Sequence, residues 1–319
     1  MPETEIQNVA GLASKIADAV GTVVRGAEDT IAHLMTALLC GGHVLLEDMP
    51  GSGKTTLVKA FAAAIGCDCK RVQCTPDLMP ADITGFQMLQ QNADGTREMR
   101  FRKGPVFTNL LLADEINRMA PRTQSGLLEC MAERQVSCDG VTYPLPVPFL
   151  VIATQNPIEL QGTFPLPEAQ LDRFFMRLTM GTPNRAQELA ILNERQTDDP
   201  LRHLQAVTTP AELTAAQDAV RKVQSDEKIL SYLLDIVDAT RKHPQIRFGI
   251  STRGALALRH AAQARAAMAG RTYLLADDVQ TVLPVVCAHR IHASSNLLAD
   301  AQAAEQILQE IMRSTEAPR

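Results

Sequence analysis

The chain has 319 residues, 45% of them hydrophobic, a length compatible with two ordinary domains and enough apolar material for a sizeable core. Lys and Arg number 31 against 36 Asp and Glu, and the net charge of -5 excludes a global basic field for DNA, RNA or an anionic membrane. No stretch approaches the roughly 18 uncharged apolar residues of a membrane span, and no basic segment leads into an apolar run at the N-terminus; the expectation is a cytoplasmic protein without membrane insertion, its seven scattered cysteines reduced.

Ile6 to Val20 has helical periodicity, and Asp29 is placed to cap a second helix running to Leu39. Gly42-His43 then leads into Val44-Leu45-Leu46, an apolar run that reads as a buried parallel strand. After a glycine loop, Thr55 to Ile65 reads as a helix that Gly66 ends. Strand, loop and helix are the context a phosphate-binding loop needs.

The loop carries Pro50-Gly51-Ser52-Gly53-Lys54-Thr55-Thr56. In the pattern G-x-x-x-x-G-K-[ST] the first glycine is replaced by Asp48, at a position that opens the loop and where Asp tolerates positive φ better than most residues. Backbone N–H groups at the start of the helix would point at the β-phosphate, where the helix dipole favours negative charge. Lys54 would reach the β- and γ-phosphates of ATP or ADP, and the Thr55 hydroxyl would coordinate Mg²⁺.

Arg71 to Cys74 reads as the next strand, and Cys67, Cys69 and Cys74 around it have no usual zinc spacing. Phe86 to Phe101 alternates around Asp94-Gly95 and reads as an inserted β-hairpin. Leu110 to Ala113 is an apolar strand that runs into Asp114-Glu115. At the carboxyl edge of a parallel sheet, Asp114 is placed to hold the Mg²⁺ shell and Glu115 to polarise water for attack on the γ-phosphate. A small-molecule kinase would have no need of that glutamate, so hydrolysis is the better reading.

A helix at Arg122 to Glu133, a second hairpin at Gln135 to Tyr143 around Asp139-Gly140, and a strand at Phe149 to Thr154 follow. Strands alternating with helices predict an α/β fold, a parallel sheet with helices on both faces. Beyond Pro183 the segments 185–196, 210–224, 226–242, 252–268, 276–288 and 300–311 read as helices with no convincing strand. The boundary is therefore expected near Thr182, between an α/β nucleotide domain (1–182) and a smaller all-helical domain (183–319).

"LLLADEINRMAPRTQSGLLECM", "ATQNP" and "LPEAQLDRF" together resemble the MoxR family of AAA+ ATPases, of helix-2-insert type, over about Val24 to Arg259. The resemblance implies a P-loop domain with a helical lid, and roles at matching positions. Asn156 would be sensor 1, orienting the attacking water, and Arg173 the arginine finger offered to a neighbouring subunit's nucleotide. Arg253, in Ile250-Ser251-Thr252-Arg253, would be sensor 2, reporting nucleotide state to the lid, and Val24-Arg25-Gly26 would pack on the adenine. Gln73 matches a residue that couples client binding to Glu115, although a plain polar residue at a strand end reads equally well. The two hairpins match the helix-2 insert and the pre-sensor-1 hairpin.

An arginine finger makes sense only between subunits, so a homo-oligomeric ring, a hexamer in this family, is implied. The implied work is chaperone-like remodelling of a client together with a von Willebrand factor A-domain protein. Alternatives are an ATP-dependent assembly scaffold with little turnover, a metal-chelatase small subunit, and a DNA-acting ring motor, against which the acidic balance argues.

Overall fold

A computed structural model describes residues 2–48, 51–92, 96–156, 162–181, 184–194, 199–293 and 301–318. Two helices, α1 (Pro2–Gly21) and α2 (Glu28–Leu39), precede the first strand. Asp29 does not cap α2: Ala27 occupies the cap position without a side-chain bond, and Asp29 lies in the first turn, where its charge still complements the helix dipole. The nucleotide domain continues through β1 (Val44–Glu47), α3 (Lys54–Ala64), β2 (Cys69–Gln73), α4 (Pro80–Thr84), β3 (Gly85–Gln91), β4 (Arg97–Lys103), β5 (Leu110–Asp114), α5 (Pro121–Glu133), β6 (Gln135–Cys138), β7 (Val141–Pro144), β8 (Leu150–Gln155), α6 (Glu168–Leu171) and β9 (Met176–Leu178).

Five of these strands form one parallel sheet in the order β2-β5-β8-β1-β9. Strand side chains alternate between faces, so the unbroken apolar runs split into two cores. Val44, Leu46, Leu110, Leu112, Leu150 and Ile152 join the cluster that contains α1, α2 and α3, whereas Leu45, Leu111, Val151 and Ala153 join the one that contains Leu127, Leu128 and Met131 of α5. The edge strand β9 was not expected from the sequence. Its three residues follow the Leu171-Asp172-Arg173-Phe174 motif too closely to show a pattern of their own.

Both hairpins form. β3 and β4 pair from Gly85↔Lys103 to Gln91↔Arg97, with the Asp94-Gly95 turn outside the described residues. Gly85 is needed at the base: its φ is +95°, and a Cβ there would lie 2.2 Å from the Arg102 carbonyl oxygen. Between β6 and β7, Asp139 and Gly140 both have positive φ, as a tight two-residue hairpin turn requires. Phe101 of the first hairpin stacks on Tyr143 of the second, centroids 4.1 Å apart, so the two inserts touch.

The remaining elements are α7 (Arg185–Glu194), α8 (Pro210–Val220), α9 (Glu227–Lys242), β10 (Ile246–Phe248), α10 (Thr252–Met268), α11 (Ala276–Cys287), β11 (His292–Ala293) and α12 (Ala301–Ser314). Thr209, Asp226 and Ser251 cap α8, α9 and α10 by accepting backbone N–H bonds, the chemistry those residue types supply. The expectation of a lid without strands is corrected: β10 and β11 pair antiparallel, two strands too short to show a period. The expected boundary at Thr182 lies outside the described residues. α1 packs on α8 and α10 as well as on α2 and α3.

His43, buried at the start of β1, joins three elements. Its Nδ1 accepts from Val151 N–H at 3.0 Å, which leaves Nε2–H to donate to the Met131 carbonyl, also at 3.0 Å. Burial lowers its pKa to about 4, with Met131 opposing and Arg134 assisting. The folded pKa thus lies below the ordinary 6.5, so the unfolded chain binds the extra proton first and stability falls as pH drops from about 6.5 toward about 4. Denaturant midpoints measured across that window should decline less steeply for His43→Gln, which cannot charge.

Candidate active site

Gly53 caps the N-terminus of α3 at φ 88°, and Gly51 has φ 83°. A Cβ at either would meet nothing within 4 Å, so backbone conformation and not crowding calls for glycine here. Pro50 lies outside the described residues. Among the described residues, positive φ outside glycine occurs at Glu115, Arg134 and Asp139 but not at Asp48, so Asp48 replaces the first glycine without needing the left-handed backbone expected of it. The Lys54 ammonium donates to the Asp48 carbonyl oxygen at 2.7 Å. Its pKa is lowered by burial, against the opposing pull of Asp48, Asp114 and Glu115.

A cleft of about 380 Å³ opens at this loop. Gly51 to Thr56 line one side; Asp114, Glu115, Thr154, Gln155 and Asn156, from the ends of β5 and β8, line the other. The sheet order explains the meeting, since β8 lies between β5 and β1 and the carboxyl ends of all three open on one edge.

The two acids are held differently. The Asp114 carboxylate takes Arg71 Nε and a terminal guanidinium nitrogen on Oδ2, at 3.0 and 2.7 Å, and the Thr154 hydroxyl on Oδ1 at 2.6 Å. The Thr154 oxygen in turn accepts the Glu115 N–H at 2.9 Å. Glu115 sits at φ 60°, ψ 53°, a left-handed conformation uncommon outside glycine and frequent where chemistry demands a particular aim. Its Oε2 accepts from Gln73 at 2.9 Å and from Arg118 at 3.2 Å. Gln73 thus touches Glu115 at the strand end.

Arg71, Arg118 and Thr154 were not found by sequence reasoning. The signal available was register: Arg71 and Gln73 share one face of the strand beside β5, and Gln73 pairs with Asp114.

Thr55 and Asp114 offer a hydroxyl and a carboxylate, hard oxygen donors that suit Mg²⁺. Among the described residues no group of three or more His, Cys, Asp or Glu is placed to hold a metal ion.

Arg173 and Arg253 are brought together, but not at this cleft. They line a second one of about 310 Å³, with Arg134, Asp172 and Arg290, and among the described residues the two clefts share none. Arg173 donates to the Leu128 carbonyl at 3.2 Å, and Arg253 lies 3.6 Å from Asp172. Val24 and Gly26 line neither cleft. Val24 packs against the larger core, and Gly26, at φ 74°, faces the Gln187 side chain of α7, which a Cβ there would meet at 2.6 Å.

Residues 43–176 match the ATPase family associated with various cellular activities (AAA), and residues 238–311 match the AAA lid domain. The chain is 37% identical to the chaperone MoxR1 of Mycobacterium tuberculosis, over 94% of this chain and 81% of that one. It is 34% identical to the MoxR protein of Paracoccus denitrificans, over 86% and 87%. The chain belongs to the MoxR family of AAA ATPases.

Other relatives of this MoxR-family chain extend the match. The Bacillus subtilis protein YeaC is 43% identical over 96% of this chain and 95% of its own. A solved structure from Cytophaga hutchinsonii, described as a candidate ATPase, superposes with a TM-score of 0.89 at 35% identity, covering 99% of this chain and 98% of that one. The AAA model begins at His43, so α1 and α2 precede the matched part. No helix among the described residues is long and apolar enough to cross a membrane.

Proposed function

We propose that this chain hydrolyses ATP with Mg²⁺ and works as a ring, hexameric in the family's manner, that remodels or matures a partner protein. The observation that carries this reading is the division of the site. Lys54, Asp114, Glu115 and Asn156 converge on one cleft, while Arg173 and Arg253 line another with no described residue in common. A nucleotide held in the first cleft would meet those cations when a second copy presents its own second cleft, which is the arrangement a shared site needs.

In this reading the N-terminal amides of α3, with Lys54, bind the phosphates, and Thr55 and Asp114 hold the metal ion, which would offset phosphate charge when bound. Val24 and Gly26 pack on the adenine. Glu115 takes the proton of the attacking water, Asn156 orients that water, and Arg173 and Arg253 of a neighbouring copy offset the charge of the transferred phosphoryl group. Sensor 2 then acts between copies and not only on its own lid. The division into a nucleotide domain at 1–182 and a lid at 183–319 is kept as part of the proposal.

The chaperone name of the mycobacterial relative supports a protein client, and a separate von Willebrand factor A-domain protein is the partner we propose. A second reading, a nucleotide-dependent scaffold with little turnover, draws on the two bonds that hold Glu115 Oε2. Steady-state hydrolysis separates them. Glu115→Gln should retain ATP binding and lose hydrolysis by about 10²-fold or more, as removal of a catalytic base does. Unchanged turnover in that variant would sink the motor. Capture of partners by the same variant in ATP, with the unaltered chain in ADP as control, tests the client and the A-domain protein.

A further inference from the structure

The four residues Asp172-Arg173-Phe174-Phe175 join α6 to β9, and two lid side chains, Arg290 and His289, grip them. Arg290, in the turn after α11, is almost wholly buried, its side chain 4% exposed. Its guanidinium donates to the Phe174 carbonyl at 2.8 Å, to the Phe175 carbonyl at 3.2 Å, to the Val286 carbonyl of α11, and to Asp172 Oδ1 at 2.9 Å. Its neighbour His289 places Nε2 3.0 Å from the same Phe174 carbonyl. Two lid residues therefore hold the backbone that begins one residue after Arg173, and one of them also holds the carboxylate one residue before it.

The order of dependence can be read from exposure. Arg290 has four protein acceptors and almost no contact with solvent, and a buried guanidinium so satisfied has one arrangement. The Asp172 side chain is 31% exposed and Arg253 is 65% exposed, so an ion pair between those two would have little strength of its own. Arg290 fixes Asp172, and the second Asp172 oxygen, 3.6 Å from Arg253, draws Arg253 to the same cleft as Arg173. Arg290 does not touch the cleft at Lys54.

We infer that Arg290 is the positioning residue for both exposed arginines: through the carbonyls of Phe174 and Phe175 it sets where Arg173 emerges, and through Asp172 it sets Arg253. The lid of each copy thereby holds the cations that the copy offers to its neighbour. The inference rests on the shared-site reading above.

The test uses Arg290→Lys in the full chain. One ammonium cannot serve four acceptors spread around a planar fork, so the strand end relaxes while a buried cation is kept. ATP binding, measured with a fluorescent analogue, stays as in the unaltered chain; hydrolysis falls by about 10- to 100-fold, the effect of misplacing a catalytic group by about an ångström. Mixing with Glu115→Gln then restores part of the activity, because that variant presents an intact Arg173 to a competent Glu115. A structural defect in the lid would lower binding or thermal stability and would not be rescued in this way.

Three results overturn the inference. The first is wild-type hydrolysis by Arg290→Lys, and the second is a loss that mixing does not restore while a parallel mixture with Arg173→Ala is restored. The third applies if Arg290→Lys fails to fold: Asp172→Asn, which leaves the carbonyl bonds in place, must still lower hydrolysis with binding intact, and wild-type turnover there counts against it. If Arg173→Ala itself is not restored, the shared site falls and takes this inference with it.

Discussion

Arg173→Ala binds ATP as tightly as the unaltered chain and hydrolyses it about 10³-fold more slowly, the scale on which arginine fingers act. Arg173 lies outside the cleft at Lys54, so its removal leaves the phosphate-binding backbone and both acids in place. The exposed Arg173 side chain donates to the Leu128 carbonyl at 3.2 Å, a single neutral-acceptor bond whose loss costs the fold little. Mixing this variant with Glu115→Gln joins an intact Glu115 to an intact Arg173 at some interfaces, and single-turnover rates should recover in proportion to mixed interfaces. Full activity in the Arg173 variant alone, or no recovery where mixed assemblies are seen by mass measurement, would remove Arg173 from the chemistry.

Lys54→Ala has the second large effect, on binding. Lys54 stands at the first position of α3 with its ammonium folded back to the Asp48 carbonyl, and the negative charges of Asp48, Asp114 and Glu115 raise its pKa against the larger effect of burial. A nucleotide's phosphates would replace that carbonyl with charge-assisted bonds worth about 1.5–3 kcal/mol each. Losing two of them raises the dissociation constant by about 10² or more. Calorimetric titration with ATP and ADP checks this, and tight binding by the variant would show that the loop at Gly51–Thr56 is not the phosphate site. Circular dichroism should be unchanged, because Ala has a high helix propensity and keeps α3 intact.

Three strands of the sheet were legible because they are buried on both faces and so read as unbroken apolar runs: Val44 to Leu46, Leu110 to Ala113 and Leu150 to Thr154 lie in strands, and the run read from Phe149 starts one residue early. Lid helices were legible from period and caps; the segment read as 252–268 is α10, Thr252–Met268. What escaped has a common cause. β9, β10 and β11 have three residues or fewer, less than the span over which alternation can be recognised, and they exist because partners in the sheet or lid satisfy their backbone.

The site divided in the same way. Residues carried by local motifs were found in order along the chain, and the loop, the acids and Asn156 do meet at one cleft. Arg71, Arg118, Thr154 and Arg290 act through side chains that meet the motifs only in three dimensions, and a strand-borne arginine such as Arg71 looks in sequence like any solvated charge. The pairing of Arg173 with Arg253 through Asp172 spans about half the lid and has no local signature.

The grip of Arg290 on Phe174 and Phe175 also bears on how the molecule comes apart. α1, with its buried stripe of Ile6, Val9, Ala13, Ile16 and Val20, leans on α8 and α10 from the opposite end of the chain. The lid thus clasps the first helix of the nucleotide part and its last strand. A cut near residue 182 would bare the part of that stripe that faces α8 and α10 and take the Arg290 donors away from the Phe174 and Phe175 carbonyls. The two architectures are therefore expected to melt in one transition, which scanning calorimetry of the full chain checks.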